Sequence, residues 1–486
     1  MNQTVADRIR ECVMIARRLQ HLNMFVTTKF EEALSKAELL DKIVTAKGLL
    51  FGVPFAVKDC FSRKAIRTTL CSVMLSNYKP SYNATLVNRL LNAGGILFRK
   101  TNMDEFSMGA SSTKSPFGPV KNPWNLATDL VTKMDHDWYI AGGSSGGSAA
   151  AVTCGVVKIA LGSDTGGSTR NPAALCGVVG FKPTYGLLSR CGLVPLVNSF
   201  DTPGILARKV EDICLALRII SGWDCFDSTS IHSSRVEFTL DDSLLTKNLC
   251  VGIPREFYPP GLADDVLKCW KTVAKILERD AGCRLVDVSL PHTQFSIVCY
   301  HVLGESEIAS NMARYDGIEY GFRAANETSF YSLLAAGRQK GFNETVRRRI
   351  LAGNFFLLKR NYKHFYEKVA CIRRLITEEY QSVFNAGVDV LLLPATQADA
   401  PLFSQYVAED NEYTRERQDD FFTQPANLSG LTAIVIPVGL SNRKLPIGLQ
   451  LVGNRFQDSL LLKIAKRLQD RVEFKCLPKK LLIDNV

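Results

Sequence analysis

Residues 141–162 read AGGSSGGSAAAVTCGVVKIALG. Four glycines and three serines fill positions 142–148 before the alanines begin. GSAAAVTCG is small and mostly apolar, the pattern of a short buried helix, and VVKIALG (156–162) reads as a buried strand. Working outward, FGVPFAV (51–57) and GGILF (94–98) also read as strands. Between them NATLVNRLLNAGG has apolar residues at 86, 87, 90 and 91, Asn83 as N-cap candidate and Gly94 as stop. This β-α-β alternation, running from about 48 to 205, predicts an α/β sheet with helices on both faces.

Beyond it, SGWDCFDSTSIHSSRV (221–236) is polar and reads as a surface connection. VLKCWKTVAKILERD (266–280) is an amphipathic helix leading to the alternating strand RLVDVSLP, and 341–385 reads as a long helical stretch. Strand signals return at VDVLLLP (388–394), TAIVIPV (432–438) and PIGLQLVG (446–453), followed by a last helix over about 457–469. Strands at both ends predict one shared sheet. The expected arrangement is a single domain over 1–486, with a catalytic core at about 48–220 and 386–470 and a helical, cap-like region at about 240–385. LATDLVTKMDHDWY (126–139) interrupts two strongly patterned blocks and reads as an inserted surface loop.

Apolar residues are 46% and charged residues 22% of the chain, the composition of a globular protein. The formal charge of +11 suits a partner that bears RNA, or a basic compartment. No Lys/Arg run is interleaved with aromatics, so direct reading of nucleic acid is not supported. The 14 cysteines form no C-x-x-C pair and sit mostly beside apolar residues, which points to buried free thiols rather than disulfides or a zinc site. No run approaches a membrane span. MNQTVADRIRECVMIARRLQ lacks a secretory core and reads as an amphipathic structural helix in preference to a presequence.

Three readings compete for the Gly/Ser turn. A linker does not fit, because structured segments flank it closely. A phosphate loop needs the lysine of G-x-x-x-x-G-K-[ST], which is missing. A reactive turn remains. Gly142–Gly146 satisfies G-x-S-x-G, the nucleophile elbow, which also needs a downstream acid and histidine. Only His232, His292, His301 and His364 follow, with His292 the best placed. A second Gly-flanked serine competes: GSDTGGSTRNPAA (162–174) sets Ser168 after two glycines and before a helix. Backbone N–H groups from Thr165, Gly166, Gly167 and Ser168 at such a turn can hold an oxyanion. A serine must lose its proton to attack, and lysine is the base left to consider. Lys58, ending FGVPFAVK, can be carried inside by its strand, where burial favours the neutral amine. A structural Lys58–Asp59 pair is equally compatible with this stretch alone.

Taken together, VPFAVKD, AGGSSGGSAAAV and GSDTGGSTRNPAALCGVVGFKPTYG resemble the amidase signature family, with two serine motifs 24 residues apart downstream of a lysine strand. The resemblance implies the amidase-signature fold, a large mixed, mostly parallel central sheet with helices on both faces. It also implies a Ser–cis-Ser–Lys unit. Ser168 is then the nucleophile, Ser144 follows a cis peptide bond and relays the proton, and Lys58 is the base.

Within the family, TNMDEFSMGASS (101–112), FGPVKNPW (117–124), VRRRILAGNF (346–355) and DDFFTQPANLSGL (419–431) resemble the glutamine-hydrolysing A subunits of tRNA-dependent amidotransferases, a likeness running from about 5 to 470. It implies a glutaminase acting through a glutamyl-Ser168 ester. Ammonia then passes to a B subunit, which uses ATP and Mg to amidate Glu on tRNA(Gln), while a C subunit holds A and B together. The A chain itself carries no cofactor and no metal, and tRNA is engaged mainly through B. Arg349 is expected to grip glutamine's carboxylate and Asp420 its amine, with Tyr300 beside the substrate. Arg347 and Arg348, in the same run, and Asp419 read as solvated neighbours. Cys60 stands where bacterial relatives usually carry Asn and reads as a packing change, and the chain starts later than bacterial relatives do. The 126–139 loop is similar to that of animal mitochondrial members, which with the basic balance points to the mitochondrial matrix. The alternatives are a stand-alone amidase for small amides and a catalytically dead structural subunit.

Overall fold

The structure, a computed structural model, describes residues 4–27, 30–43, 48–128, 136–232, 238–241, 249–279, 282–325, 328–408, 412–478 and 481–482. Among these, the strands are β1 (Pro54–Lys58), β2 (Ile96–Thr101), β3 (Ile159–Asp164), β4 (Val179–Lys182), β5 (Thr202–Ala207), β6 (Cys250–Pro254), β7 (Arg284–Val288), β8 (Val390–Pro394), β9 (Thr432–Leu440) and β10 (Pro446–Gly453). They form one sheet in the order β2-β1-β3-β5-β4-β9-β10-β8-β6-β7. Strands from both ends of the chain therefore share it, as expected.

The helices run α1 (Val5–Arg18), α2 (Glu31–Asp41), α3 (Thr85–Asn92), α4 (Gly146–Thr153), α5 (Arg170–Cys176), α6 (Val210–Ile220), α7 (Asp264–Arg279), α8 (Ser296–Met312), α9 (Phe330–Gly341), α10 (Glu344–Leu357), α11 (Lys359–Tyr362), α12 (Lys368–Asn385), α13 (Phe403–Val407), α14 (Glu412–Leu428) and α15 (Asp458–Val472). The alternation of β1 and β3 divides the core between two faces. Phe55, Val57, Ile159 and Leu161 join one apolar cluster, while Ala56 and Ala160 join the other. Central strands are buried on both sides, which is why they read as unbroken apolar runs. The edge strand β7 exposes the charged Arg284 and Asp287 among half-buried apolar residues, and so resists pairing with another chain.

Four findings correct the sequence reading. The sheet is mixed but not mostly parallel: β1–β2, β1–β3, β6–β7 and β6–β8 are parallel, whereas β3–β5, β4–β5, β4–β9, β9–β10 and β8–β10 are antiparallel. Strand β4, only four residues long, and β5, whose run is broken by Pro203 and Gly204, insert antiparallel between β3 and β9, and the short β9–β10 connection forces an antiparallel pair. The region assigned to a cap contributes β6 and β7 to the sheet, so the helical cover begins only at α8. The long helix expected over 341–385 is interrupted where Leu358 takes an extended backbone (ψ 134) and where a π-turn covers Lys363–Glu367. Ala84, not Asn83, precedes α3; the Asn83 side chain instead bonds Asn88.

The N-terminal segment is the structural helix expected, burying Val5, Ile9, Cys12, Val13 and Ala16. All 14 cysteines are free and nine are buried. No helix among the described residues is long and apolar enough to cross a membrane. Of the loop read at 126–139, residues 129–135 lie outside the described residues, as do 233–236 of the surface connection. Beyond the first of these gaps, Trp138 stacks on Phe403 at 4.4 Å.

Candidate active site

Strands β1 and β3 run side by side and parallel, so their C-terminal ends emerge together, the place where open α/β sheets present their chemistry. Lys58 is the last residue of β1 and is 0% exposed. Its Nζ donates to Ser144 Oγ at 2.7 Å and to Ser163 Oγ at 2.8 Å. Burial pulls the Lys58 pKa below the ordinary lysine value, while Coulombic interaction with Cys60, Asp104, Asp164 and Asp201 opposes that shift.

Ser144 belongs to the turn before α4. The Gly143–Ser144 peptide is cis, in agreement with the resemblance. Gly143 N–H donates to Asn171 Oδ1 at 3.2 Å, Gly146 N–H to Ser112 Oγ at 3.1 Å, and Ser145 N–H to the Ser168 carbonyl at 3.1 Å. The last bond fixes the two serine turns against each other, so Lys58, Ser144 and Ser168 are gathered in one place. Ser168 is the only residue of 159–184 that is not buried, which leaves its hydroxyl the accessible member of the three.

The turn that carries Ser168 is built on Asp164. This carboxylate accepts from Gly167 N–H (2.9 Å), Thr169 N–H (3.2 Å) and Arg170 N–H (3.3 Å), and forms a fully buried pair with Arg170. Arg170 also donates to the Thr423 carbonyl (2.9 Å), Gln450 Oε1 (2.6 Å) and Asn427 Oδ1 (2.5 Å). Burial alone raises the Asp164 pKa, but the Arg170 charge and hydrogen bonds outweigh it and hold the carboxyl at about 2. One expectation is thereby corrected. Gly167 N–H points at Asp164, so it is engaged within the protein, and the candidate oxyanion donors left at this turn are Thr165, Gly166 and Ser168. Gly167 needs its missing side chain all the same: its φ is +133°, and a Cβ there would press on Thr423.

Helices α8 and α14 lie over the turn, and α10 packs against α8. Tyr300, on α8, is 8% exposed and stacks on Phe200 at 5.8 Å. A Cβ on Gly166 would sit 2.7 Å from its ring, so Tyr300 covers the Ser168 turn directly. Thr423, on α14, donates to the Gly166 carbonyl at 2.6 Å. Asp420 lies one helical turn earlier on the same face, half-buried, and accepts from Gln424 Nε2 at 2.9 Å. Its neighbour Asp419 is occupied elsewhere, accepting from Gln397 N–H. Arg349, on α10, is 4% exposed, whereas Arg347 is half-buried and Arg348 exposed. The arginine run is therefore not a uniform solvated face.

Sequence reasoning missed Ser163, which takes the second Lys58 bond, and Thr423, which pins the Ser168 turn. Both stand inside quoted stretches, but nothing in their spacing separates them from neighbouring serines and threonines. The histidines weighed for the elbow reading are not partners of Ser144. His301 bonds Glu305, His292 bonds Glu379, and the place of a base beside Ser144 is taken by Lys58.

Comparisons with known proteins give the family of the chain. A family model described as amidase matches residues 9–462. The chain is 49% identical over 477 residues to the A subunit of the mitochondrial glutamyl-tRNA(Gln) amidotransferase of Xenopus tropicalis, covering 96% of this chain and 91% of that one. It is 48% identical to the Homo sapiens protein of the same name, covering 99% and 93%. The crystal structure of the glutamyl-tRNA(Gln) amidotransferase A subunit from Thermotoga maritima superposes with a TM-score of 0.76 at 34% identity, covering 96% and 94%. The chain belongs to the amidase family.

Proposed function

We propose that this chain is the glutaminase subunit of a glutamyl-tRNA(Gln) amidotransferase, working in the mitochondrial matrix with B and C partner subunits. The observation that carries the proposal is the buried Lys58–Ser144 bond set against the accessible Ser168, on a turn covered by Tyr300 and Thr423. The near-full-length likeness to A subunits of this name supports the choice of substrate and partners.

In this reading Lys58 is a neutral amine, and the 2.7 Å contact then also runs from Ser144 O–H to Nζ. Ser168 Oγ attacks the side-chain amide carbon of glutamine, and its proton passes through Ser144 to Lys58. The oxyanion is held by backbone N–H groups of Thr165, Gly166 and Ser168. The C–N bond breaks, the relayed proton returns to the leaving nitrogen, and ammonia departs. Water, deprotonated along the same relay, cleaves the ester to release glutamate and restore Ser168. Arg349 holds the carboxylate of glutamine, Asp420 its amine, and Tyr300 its aliphatic stem. Ammonia then reaches the B subunit, which holds ATP, Mg and most of the tRNA(Gln) contact; this chain needs no cofactor or metal of its own.

Ser168→Ala tests the reading. Glutamine hydrolysis should disappear while the melting temperature and co-purification with partner subunits stay unchanged. Turnover at the wild-type rate in that variant rules the mechanism out.

A further inference from the structure

The segment after β2, residues 104–114, ties the catalytic lysine to a helix far along the chain. At one end Ser107 Oγ lies 3.5 Å from Ser163 Oγ, the hydroxyl that takes a bond from Lys58. At the other, Glu105 Oε2 accepts from Asn343 N–H at 2.8 Å, and the Ser72 hydroxyl bridges Glu105 Oε1 and the Gly341 carbonyl with its single proton. Asn343 is the N-cap of α10, its side chain taking the Val346 N–H at 3.0 Å. Lys114 reinforces the junction: its carbonyl accepts from Asn343 Nδ2 and its Nζ donates to Thr345 Oγ1 at 3.1 Å. Phe106 packs on Phe342 beneath it, with ring centroids 5.5 Å apart.

Helix α10 is thus pinned at two points. Its first turn hangs on Glu105. Further along, Gly353 lies so close to the Glu305 carbonyl of α8 that any Cβ would overlap it. Arg349 lies between the pins, six residues or about 9 Å beyond the Glu105 contact. A helix moves as a rod over that length, so releasing the first turn re-aims Arg349.

We propose that Glu105 is a positioning residue: through the N-terminus of α10 its carboxylate sets the reach of Arg349 and hence the affinity for glutamine's carboxylate. The inference rests on the reading of Arg349 as the carboxylate grip. Glu105 is 3% exposed. Burial pushes its pKa up to about 7, against the hydrogen bonds from Ser72 and Asn343 and the charge of Arg347 on α10. Lys114, Lys340 at the end of α9 and Glu344 in the first turn of α10 line the adjoining cavity of about 410 Å³, so two cations and a second carboxylate face it as well. The ionised carboxylate holds the Asn343 N–H by a charge-assisted bond, whereas in the protonated form Oε1–H turns to Ser72 Oγ and Oε2 is left a neutral, weaker acceptor, which loosens the hold on α10.

The test compares Glu105→Gln with wild type in the full chain purified with its partner subunits. It uses glutamine and a neutral primary amide that lacks the amino-acid head group, with Arg349→Ala alongside. The expected result is about a tenfold rise in KM for glutamine, unchanged kcat, and unchanged turnover of the neutral amide, which also reports correct folding. Wild-type KM for glutamine should rise as pH falls through about 7, and that limb should be absent in Glu105→Gln. Unchanged glutamine KM, or an equal loss on both substrates, overturns the positioning role. If Arg349→Ala depresses both substrates alike, it is the grip assignment that falls.

Discussion

Lys58 is wholly buried against two serine hydroxyls, with neither bond going to a carboxylate. Charging it in the folded state is costly, so its pKa lies below the unfolded lysine value and the folded chain binds fewer protons there. By linkage, this residue's stability deficit is absent above the unfolded pKa and grows as pH falls below it, reaching its full size below the folded pKa. On the proposed mechanism the same displacement favours the neutral amine that acts as base, so kcat should rise with pH along one limb positioned below the ordinary lysine range. Lys58→Met keeps length and removes the charge. Glutamine hydrolysis should fall by about 10²–10⁴, while Tm stays level or rises. Calorimetry and single-turnover kinetics check both halves, and a marked drop in Tm would show that Lys58 is held for structure.

At the scale of elements, α14 does two things with one face. Thr423 fixes the Gly166 carbonyl and serves any substrate, while Asp420, a turn away, can serve only a substrate with an amine. The two functions should separate. Thr423→Val should lower kcat about fivefold for glutamine and for a neutral amide alike, the worth of one ordinary hydrogen bond. Asp420→Asn should raise KM for glutamine about tenfold or more and leave the neutral amide unaffected. Equal effects of Asp420→Asn on both substrates would favour a stand-alone amidase. Legibility also divides by element. The Gly/Ser turns, β1 and β3 could be read locally, because glycine punctuation and apolar runs are properties of adjacent residues. The α14 contacts could not, because Thr423 and Gly166 are 257 positions apart and ordinary in their own surroundings.

Over the whole molecule the α/β class was legible, while the direction of strand pairing was not. Direction depends on which strands become neighbours, and β4 (VGFK), only four residues long, and β5 (TPGILA), with Pro and Gly in its run, give no local sign that they separate β3 from β9. The candidate catalytic trio could be named because motif and resemblance coincided; the Asp164–Arg170–Asn427–Gln450 network that shapes its turn joins residues from both halves of the chain and leaves no local pattern. Net charge is the other whole-molecule property. At +11 the chain attracts any polyanion, yet its sequence holds no basic run interleaved with aromatics to read one. Separated from its partners it should bind tRNA(Gln) and bulk tRNA equally and weakly. That binding should fall steeply between about 50 and 200 mM salt, as counterion release dictates. The assembled complex should instead retain a preference for tRNA(Gln) at the higher salt. Filter binding on both preparations decides the matter: a salt-resistant preference in the lone chain would move tRNA selection from the B subunit to this one.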